Sequence, residues 1–218
     1  YYLNDIELAR VSNIKDLGIF FDASLSFNDH YAYIINKSSS MLGFISRTCS
    51  DFNNHIALKS LYCSFVRSVL DYNSVVWSPY MSGPTEAIEA IQNRFLRFLA
   101  FKCGVQRQRH TSYLPLHLLT NLESLQLRRI RLDLNFTFKL LNSIINCPEL
   151  LVKFNFLVPA SHTRNSNTFY MPFHRTNYAK NAPIMRLMGF VNKYNVDLFF
   201  CNNIAFFNIY LNNNINII

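Results

Sequence analysis

The clearest fold signal in the chain is the stretch Leu58–Val69, which reads LKSLYCSFVRSV. Its apolar side chains recur at intervals of three and four residues, which is the repeat of one buried face of an α-helix. The residues of this face are Leu58, Leu61, Tyr62, Phe65, Val66 and Val69. We therefore predict a helix that ends near Asp71 and packs into a helical core.

Three more segments carry helix signals of the same kind. The first runs from about Asn28 to Thr48, after polar residues at positions 24–29 that suit helix caps. The second begins at Gly83-Pro84, since proline fits the first turn of a helix. A shorter helix is predicted from Ala182-Pro183 to about Lys193.

Residues 120–143 carry two conflicting patterns. From Ile130 to Leu140 every second residue is apolar, which is typical of a strand. A helix is favoured by Thr120 and Glu123, which have the spacing of a capping box, and by a seam of apolar residues. The seam consists of Leu127, Ile130, Leu134, Phe138 and Leu141. We predict a helix buried on two sides, because Asn and Asp at the intervening positions are poor strand residues.

The N-terminal end has a different pattern. Residues 14–22 read IKDLGIFFD, and the apolar run around Gly18 predicts a short β-hairpin or bulge. The predicted fold class is therefore mainly α. We divide the chain into a hairpin remnant at 1–27, a helical bundle at 28–110 and a helical extension with an Asn-rich end at 111–218.

Composition limits the class of protein further. The chain has 218 residues, of which 50% are apolar and 16% are charged, so it can bury a substantial core. Its five cysteines are widely spaced and form no C-x-x-C pair, which predicts buried free thiols in a reducing, intracellular compartment, nuclear or cytoplasmic. The first residues show no initiator Met and no secretion leader, so we expect the chain to begin inside a longer reading frame. No stretch is apolar enough to predict a membrane span.

The net charge of +8 is unevenly distributed. Residues 1–93 carry six basic and nine acidic side chains, for a net −3. Residues 94–131 carry eight basic and one acidic, for a net +7, and residues 132–218 carry seven and three, for a net +4. A basic block in a chain with few charges predicts a polyanionic partner or, alternatively, a solvated basic face.

Catalytic and metal-binding motifs are missing from the sequence. It has no Gly-rich phosphate loop, no nucleophile elbow and no cluster of His and Cys at ligand spacing. We interpret each histidine as a surface or capping residue. Asp16, Asp22 and Asp29 are interpreted as capping and solubilising residues, not as metal ligands. No catalytic or metal-ligating residue is predicted.

A series of short strings occurs in a fixed order along nearly the whole chain. Together they resemble the region after the catalytic palm in reverse transcriptases of non-LTR, LINE-like (jockey-type) retrotransposons. The strings are residues 14–22, Leu25-Ser26-Phe27 with His30, Leu61-Tyr62, Val66-Arg67, Leu70-Asp71-Tyr72, Val76-Trp77-Ser78-Pro79, Ile88-Glu89, Ile91-Gln92, Arg94-Phe95, Leu122-Glu123, Arg128-Arg129, Arg164, Ala182-Pro183 with Arg186, Asn192 and Asp197.

This resemblance implies roles for regions of the chain. Leu17 and Gly18 would lie in the family's primer-grip hairpin, and the helices up to about Cys103 would form its thumb, with the later helices as its C-terminal extension. The thumb packs against the template–primer duplex, an RNA–DNA or DNA duplex. Basic residues then become candidate contacts to backbone phosphates, namely Arg94, Arg97, Lys102, Arg107 and Arg109, with Arg128, Arg129 and Arg131 as weaker candidates.

The chain also departs from the family pattern. The fingers, the palm and the paired catalytic aspartates of an RNA-directed DNA polymerase are missing, so the resemblance implies a fragment that does not polymerise DNA. It implies no cofactor in this fragment, since the family's divalent metal belongs to the missing palm, and it implies the palm and fingers as partners. Two alternatives remain open, a decayed reading frame without selected activity and a helical protein-interaction module.

Overall fold

The computed structural model describes residues 2–3, 6–7, 11–105, 112–158, 167–201 and 203–215. The fold is mainly α, with a β-hairpin near the N-terminal end, which confirms the predicted fold class. The chain forms two compact units. Unit 1 contains Tyr1–Tyr72 and Met81–Asn121, and unit 2 contains Asn73–Tyr80 and Leu122–Ile218. The division into segments at 1–27, 28–110 and 111–218 stays a prediction.

The helices of unit 1 surround the stretch that opened the sequence analysis. They are α1 (Asn28–Thr48), α2 (His55–Leu61), a π-helical segment (Tyr62–Arg67) and α3 (Ser68–Asp71), followed after the interruption by α5 (Ser82–Lys102) and α6 (Leu114–Thr120). The helices of unit 2 are α4 (Ser74–Trp77), α7 (Leu125–Leu141), α8 (Pro148–Leu151), α9 (Asn177–Lys180), α10 (Pro183–Tyr194) and α11 (Ile204–Asn214).

Two small hairpins precede α1. Strands β1 (Tyr2–Leu3) and β2 (Ile6–Glu7) form one, and β3 (Asn13–Asp16) and β4 (Ile19–Asp22) form the other, both antiparallel. The second confirms the predicted hairpin. Its turn residues Leu17 and Gly18 have φ angles of 43° and 86°. Two positive φ values are what a tight two-residue hairpin turn requires, and glycine adopts them without steric cost.

A single carboxylate organises the connection from β4 to α1. Asp22 accepts hydrogen bonds from the backbone amides of Ser26 and Phe27, at 3.2 and 3.0 Å, and from the hydroxyls of Ser24 and Ser26. These bonds favour the ionised carboxylate, so the pKa of Asp22 lies well below its ordinary value, with the Ser24 hydroxyl as the largest cause. Asp22 therefore organises the loop before α1. The N-cap of α1 is Phe27, which makes no side-chain capping hydrogen bond, so the prediction that polar residues of this segment cap the helix is wrong.

The π-helical segment changes which residues of the opening stretch are buried. Leu58, Tyr62, Val66 and Leu70 are fully buried, a spacing of four residues. A π-helix has i→i+5 hydrogen bonds and a wider turn than an α-helix, so its buried face drifts along the sequence. The prediction that Phe65 lies on the buried face is therefore wrong, and its side chain is 52% exposed.

Aromatic stacking holds this segment against α5. The rings of Tyr62 and Phe95 are parallel within 6° and their centroids are 4.1 Å apart. The Tyr62 hydroxyl donates a 2.9 Å hydrogen bond to Gln92 Oε1, and all three side chains are completely buried. Burial raises the pKa of Tyr62 far above its ordinary value, so the phenol stays a donor.

In unit 2, helix α7 packs against α4, α10 and α11. Phe138 stacks on Phe207 of α11 with ring centroids 4.3 Å apart. The predicted helix, buried on two sides, is confirmed, but the capping box is wrong. Ser124 is the N-cap of α7, and its hydroxyl oxygen accepts from the Leu127 amide at 3.2 Å. Thr120 instead ends α6 and donates to the carbonyl oxygen of Leu116.

The cysteines are free thiols with different surroundings. Cys201 is buried, Cys103 is exposed, and the other three are half-buried. The prediction of free thiols is confirmed, while the prediction that they are buried holds fully for Cys201 alone. Among the helices that the structure describes, none combines the length and the apolar character needed to cross a bilayer.

Candidate nucleic-acid interface

Among the predicted phosphate contacts that the structure describes, Arg94 and Arg97 on helix α5 are the exposed ones. Arg94 and Arg97 lie three residues apart and therefore on one face of the helix. Both are exposed, while the opposite face buries Ile88, Ile91 and Phe95 in the core of unit 1. Packing of the apolar face fixes the rotation of α5, so the two guanidinium groups are held on the surface of unit 1.

Each of these arginines is also anchored by one contact. Arg94 donates to the carbonyl oxygen of Ser39 on α1 at 3.0 Å, and Arg97 donates to the hydroxyl of Tyr113 at 3.2 Å. A guanidinium has five N–H donors, and each of these bonds uses one of them. The anchors reduce the side-chain entropy that would be lost when a ligand binds.

Lys102 is placed differently from Arg94 and Arg97. Lys102 is half-buried in the last turn of α5, and its ammonium donates to the carbonyl oxygen of Ser50. A lysine bonded to a backbone carbonyl in this way also stabilises unit 1. Arg107 and Arg109 lie outside the described residues.

The weaker candidates belong to α7 in unit 2. Arg128 lies 3.5 Å from Glu123 Oε1, and Arg131 Nε lies 3.0 Å from Glu123 Oε2. Arg129 is only 2% exposed. A guanidinium buried to this extent does not reach a phosphate without a rearrangement of the helix. We therefore leave Arg129 out of the surface considered below.

The predicted primer-grip residues form the tip of the second hairpin. Leu17 is 77% exposed, and its carbonyl oxygen accepts a 3.0 Å hydrogen bond from the hydroxyl of Tyr72 at the end of α3. A Cβ atom on Gly18 would lie 3.4 Å from the Tyr72 ring. Two of the strings that carry the family resemblance, residues 14–22 and Leu70-Asp71-Tyr72, therefore touch each other in unit 1.

Sequence reasoning missed a group of side chains beside this hairpin. His30, Tyr33 and Lys37 share one face of α1, and Lys15 reaches the same place from β3. The Lys15 and Lys37 ammonium nitrogens lie 4.8 and 5.7 Å from the centroid of the Tyr33 ring. The spacing of residues 30, 33 and 37 in the sequence indicates that they lie on one face of a helix. Nothing local in the sequence indicates that Lys15 joins them.

The interpretation of His30 as a surface or capping residue is wrong, since the side chain is 2% exposed. Burial and the positive charge of Lys15 lower the pKa of His30. The imidazole is therefore neutral near pH 7, in contrast to the two lysines around it.

Two residues of unit 2 that belong to the strings resembling the family, Arg186 and Asn192, have structural roles. Arg186 Nε lies 2.9 Å from Asp133 Oδ2, and its guanidinium donates to the carbonyl oxygen of Val75 at 2.6 Å. Asn192 accepts from the amides of Thr168 and Phe169 and donates to the Phe169 carbonyl. These side chains join α4, α7 and α10 and hold the segment at 168–169, so they explain the packing of unit 2 and not a ligand site.

Comparison with known proteins adds one relative. The chain is 26% identical over 139 residues to an uncharacterized protein of Caenorhabditis elegans, across 64% of this chain and 68% of that protein. No known protein family matches the chain, and no solved structure matches it.

Proposed function

We propose that the chain is the thumb and C-terminal extension of a non-LTR retrotransposon reverse transcriptase, and that unit 1 binds a template–primer duplex without catalysing polymerisation. The sequence resemblance motivates the family assignment. The observation that supports duplex binding most directly is the pair of exposed guanidinium groups of Arg94 and Arg97 on one face of α5.

The charge pattern suits contacts to a sugar–phosphate backbone. Binding through phosphates needs long cations on one surface and requires no reading of base edges. Arg94 and Arg97 begin the block of residues 94–131, whose net charge is +7. The proposed binding is therefore tolerant of sequence and sensitive to salt.

The salt dependence of binding tests this proposal. The full chain is titrated with a short RNA–DNA duplex at several salt concentrations, and log K is plotted against log salt. Each phosphate contact contributes a slope of about −0.9. If both arginines touch phosphates, the double variant Arg94→Gln/Arg97→Gln should lose about 1.8 from the magnitude of the slope.

A matched control separates local contacts from net charge. The double variant Lys153→Gln/Lys180→Gln removes the same two charges from exposed positions in unit 2. It should keep most of the wild-type slope. Equal losses in the two double variants would show that net charge alone matters, and binding that is insensitive to salt would contradict the duplex proposal.

The family assignment has its own test, which is the transcript upstream of the Tyr1 codon. An in-frame palm with paired aspartates supports a polymerase fragment that works with the palm and fingers. A stop codon or unrelated sequence at that place supports the alternative of a decayed reading frame.

One observation favours a protein-interaction role as a second candidate. Unit 2 exposes large apolar side chains near its C-terminal end, with exposed fractions of 57% for Phe199, 75% for Phe200, 66% for Phe206 and 55% for Ile209. Exposed apolar groups of this kind are typical of association surfaces. If they serve one, Phe200→Ser/Phe206→Ser should reduce concentration-dependent association in sedimentation experiments. A wild-type chain that is monomeric at all concentrations would argue against this role.

A further inference from the structure

A cavity of about 540 Å³ lies in unit 1 between the tip of the β3–β4 hairpin, α1 and α3. Its size is in the range of pockets that bury small molecules. The lining that matters for its chemistry consists of two lysines, two tyrosines and a buried histidine. These are Lys15, Lys37, Tyr33, Tyr72 and His30.

The two lysines give the cavity its charge. Lys15 comes from β3 and Lys37 from α1, and both ammonium groups lie within 6 Å of the same ring, that of Tyr33. Within the described part of the chain, neither has a carboxylate as an ion-pair partner. The histidine is neutral, so the cavity carries two positive charges, which suit a phosphomonoester.

Apart from Ser68, the remaining wall is aromatic and apolar. The ring of Tyr33 is held by an edge-to-face contact with Phe20, at a centroid distance of 5.1 Å. Tyr72 as a whole residue is 55% exposed, and its ring is held in place by the hydrogen bond from its hydroxyl to the Leu17 carbonyl. A fixed ring beside two cations provides a stacking surface for a planar base next to a phosphate site.

We infer that this cavity binds a nucleoside monophosphate group, either as a free nucleotide or at the end of a strand. Lys15 and Lys37 hold the phosphate, and the Tyr72 ring stacks on the base. This inference deepens the proposed function and rests on it, since it names the nucleic-acid group that the hairpin side of unit 1 receives. It concerns side chains other than the arginines of α5.

The test measures the binding of three small probes to the full chain by calorimetry. AMP carries both the base and the phosphate, adenosine carries the base alone, and inorganic phosphate carries the anion alone. AMP should bind more tightly than either of the others. Inorganic phosphate that binds as well as AMP would overturn the role of the ring, and adenosine that binds as well as AMP would overturn the role of the lysines.

Two sets of variants locate the binding. Lys15→Gln/Lys37→Gln should weaken AMP binding about tenfold, whereas the unit 2 control Lys153→Gln/Lys180→Gln should leave it unchanged. Tyr72→Leu should reduce AMP binding to the level of inorganic phosphate. Tyr72→Phe, which keeps the ring, should bind AMP more tightly than Tyr72→Leu does. AMP binding that none of the cavity variants changes would overturn the inference.

A competition experiment separates the two sources of the ligand. A short single strand with a 5′-phosphate and the same strand without it are each added to the AMP complex. Displacement by the phosphorylated strand alone supports a strand end as the ligand, and displacement by neither strand supports a free nucleotide.

The failure of this inference differs from the failure of the proposed function. If the duplex binds with a salt slope that depends on Arg94 and Arg97 while AMP does not bind, the cavity inference is overturned and the duplex proposal stands. If AMP binds with the predicted dependence on Lys15 and Lys37 while no duplex binds, the duplex proposal is overturned and the cavity remains a nucleotide site.

Discussion

The hydroxyl of Tyr72 donates a 3.0 Å hydrogen bond to the carbonyl oxygen of Leu17, which lies 55 residues earlier in the chain. This bond connects the tip of the β3–β4 hairpin to the end of α3. Leu17 and Tyr72 both line the cavity that Lys15 also lines, so the bond joins two of its walls. The tip of this two-stranded hairpin is thus fixed by the side chain of Tyr72, at the end of α3.

Removal of this hydroxyl should loosen the hairpin. Tyr72→Phe keeps the ring and loses the bond, so the free energy of unfolding should fall by about 0.5 kcal/mol, the lower end for an exposed hydrogen bond. Hydrogen exchange at the amides of residues 15–20 should become faster. Tyr178→Phe, at a tyrosine of similar exposure in unit 2, should leave these amides unchanged. Unchanged exchange in Tyr72→Phe would show that the bond does not hold the tip.

Gly18 should resist substitution because of its backbone. At a φ of 86°, an alanine is strained, whereas its Cβ would only reach contact distance of the Tyr72 ring, at 3.4 Å. We expect Gly18→Ala to lower the free energy of unfolding by about 1–2 kcal/mol. Gly83→Ala is the matched control, since nothing lies within 4 Å of its Cβ position in α5. Because Gly83 lies in the first turn of α5, alanine there should change the free energy of unfolding by less than about 0.5 kcal/mol, so equal losses of stability in the two variants would contradict this account.

Removal of one partner of the Asp133–Arg186 ion pair should lower the free energy of unfolding strongly. The side chains are 0% and 7% exposed, so Arg186→Met leaves a buried carboxylate without its closest cation and removes the donor to the Val75 carbonyl. We expect a loss of about 3–5 kcal/mol in the free energy of unfolding, measured by urea denaturation. The double variant Arg186→Met/Asp133→Leu should recover a large part of it. A double variant no more stable than the single one would argue that the pair is not the source of the loss.

The titration of Asp133 should also make the free energy of unfolding depend on pH. Burial raises its pKa from 3.8 to about 6, against the opposing effect of Arg186. The folded state therefore holds the proton more tightly than the unfolded state. The stability that this group contributes is complete below pH 3.8 and is lost as the pH rises through about 6.

This dependence is measured by comparing the free energy of unfolding of the wild type and of variants across a range of pH. The wild type should lose more free energy of unfolding between about pH 4 and about pH 7 than Asp133→Asn does. Glu149→Gln, which removes an exposed carboxylate from unit 2, should follow the wild-type profile. Identical profiles for the wild type and Asp133→Asn would exclude Asp133 as the titrating group.

The π-helical segment leads to a prediction about neighbouring positions. In a regular α-helix, Phe65 would be buried with Tyr62 and Val66, whereas here it is 52% exposed and Leu70 is fully buried. Phe65→Ala should therefore change the free energy of unfolding by less than about 1 kcal/mol, and Leu70→Ala should cost about 2–5 kcal/mol. A larger cost for Phe65→Ala than for Leu70→Ala would contradict the π-helical register.

Local sequence patterns predicted α1, α5, α7, α10 and the helical stretch from α2 to α3, together with the β3–β4 hairpin. They did not predict the short helices α4, α6, α8 and α9 or the last described helix, α11. The bounds of α1, Asn28–Thr48, follow from the predicted helix, and α7 follows from its apolar seam despite the strand-like alternation. The exposed position of Phe65 was not predictable, since no residue type marks the wider turn of a π-helix. The capping box failed because Ser124 offered a competing cap one residue after Glu123.

The candidate site was predictable to a smaller extent. Arg94 and Arg97 could be proposed as phosphate contacts because their spacing within one helix is enough to place them on the same face. The cavity depends on the approach of Lys15 to Lys37 across two elements, and such contacts need the tertiary structure. His30 was misread for the same reason, since its burial results from the packing of the hairpin and α3 on α1.

Residues 73–80 belong to unit 2, although unit 1 continues from Met81. A frameshift or stop codon after Asn121 would therefore damage more than the end of the protein. Helix α4, which includes the buried Trp77, would lose its packing partners α7 and α10. Such a break would spare both segments of unit 1, but residues 73–80 of unit 2 would remain in the product without the helices that they pack against.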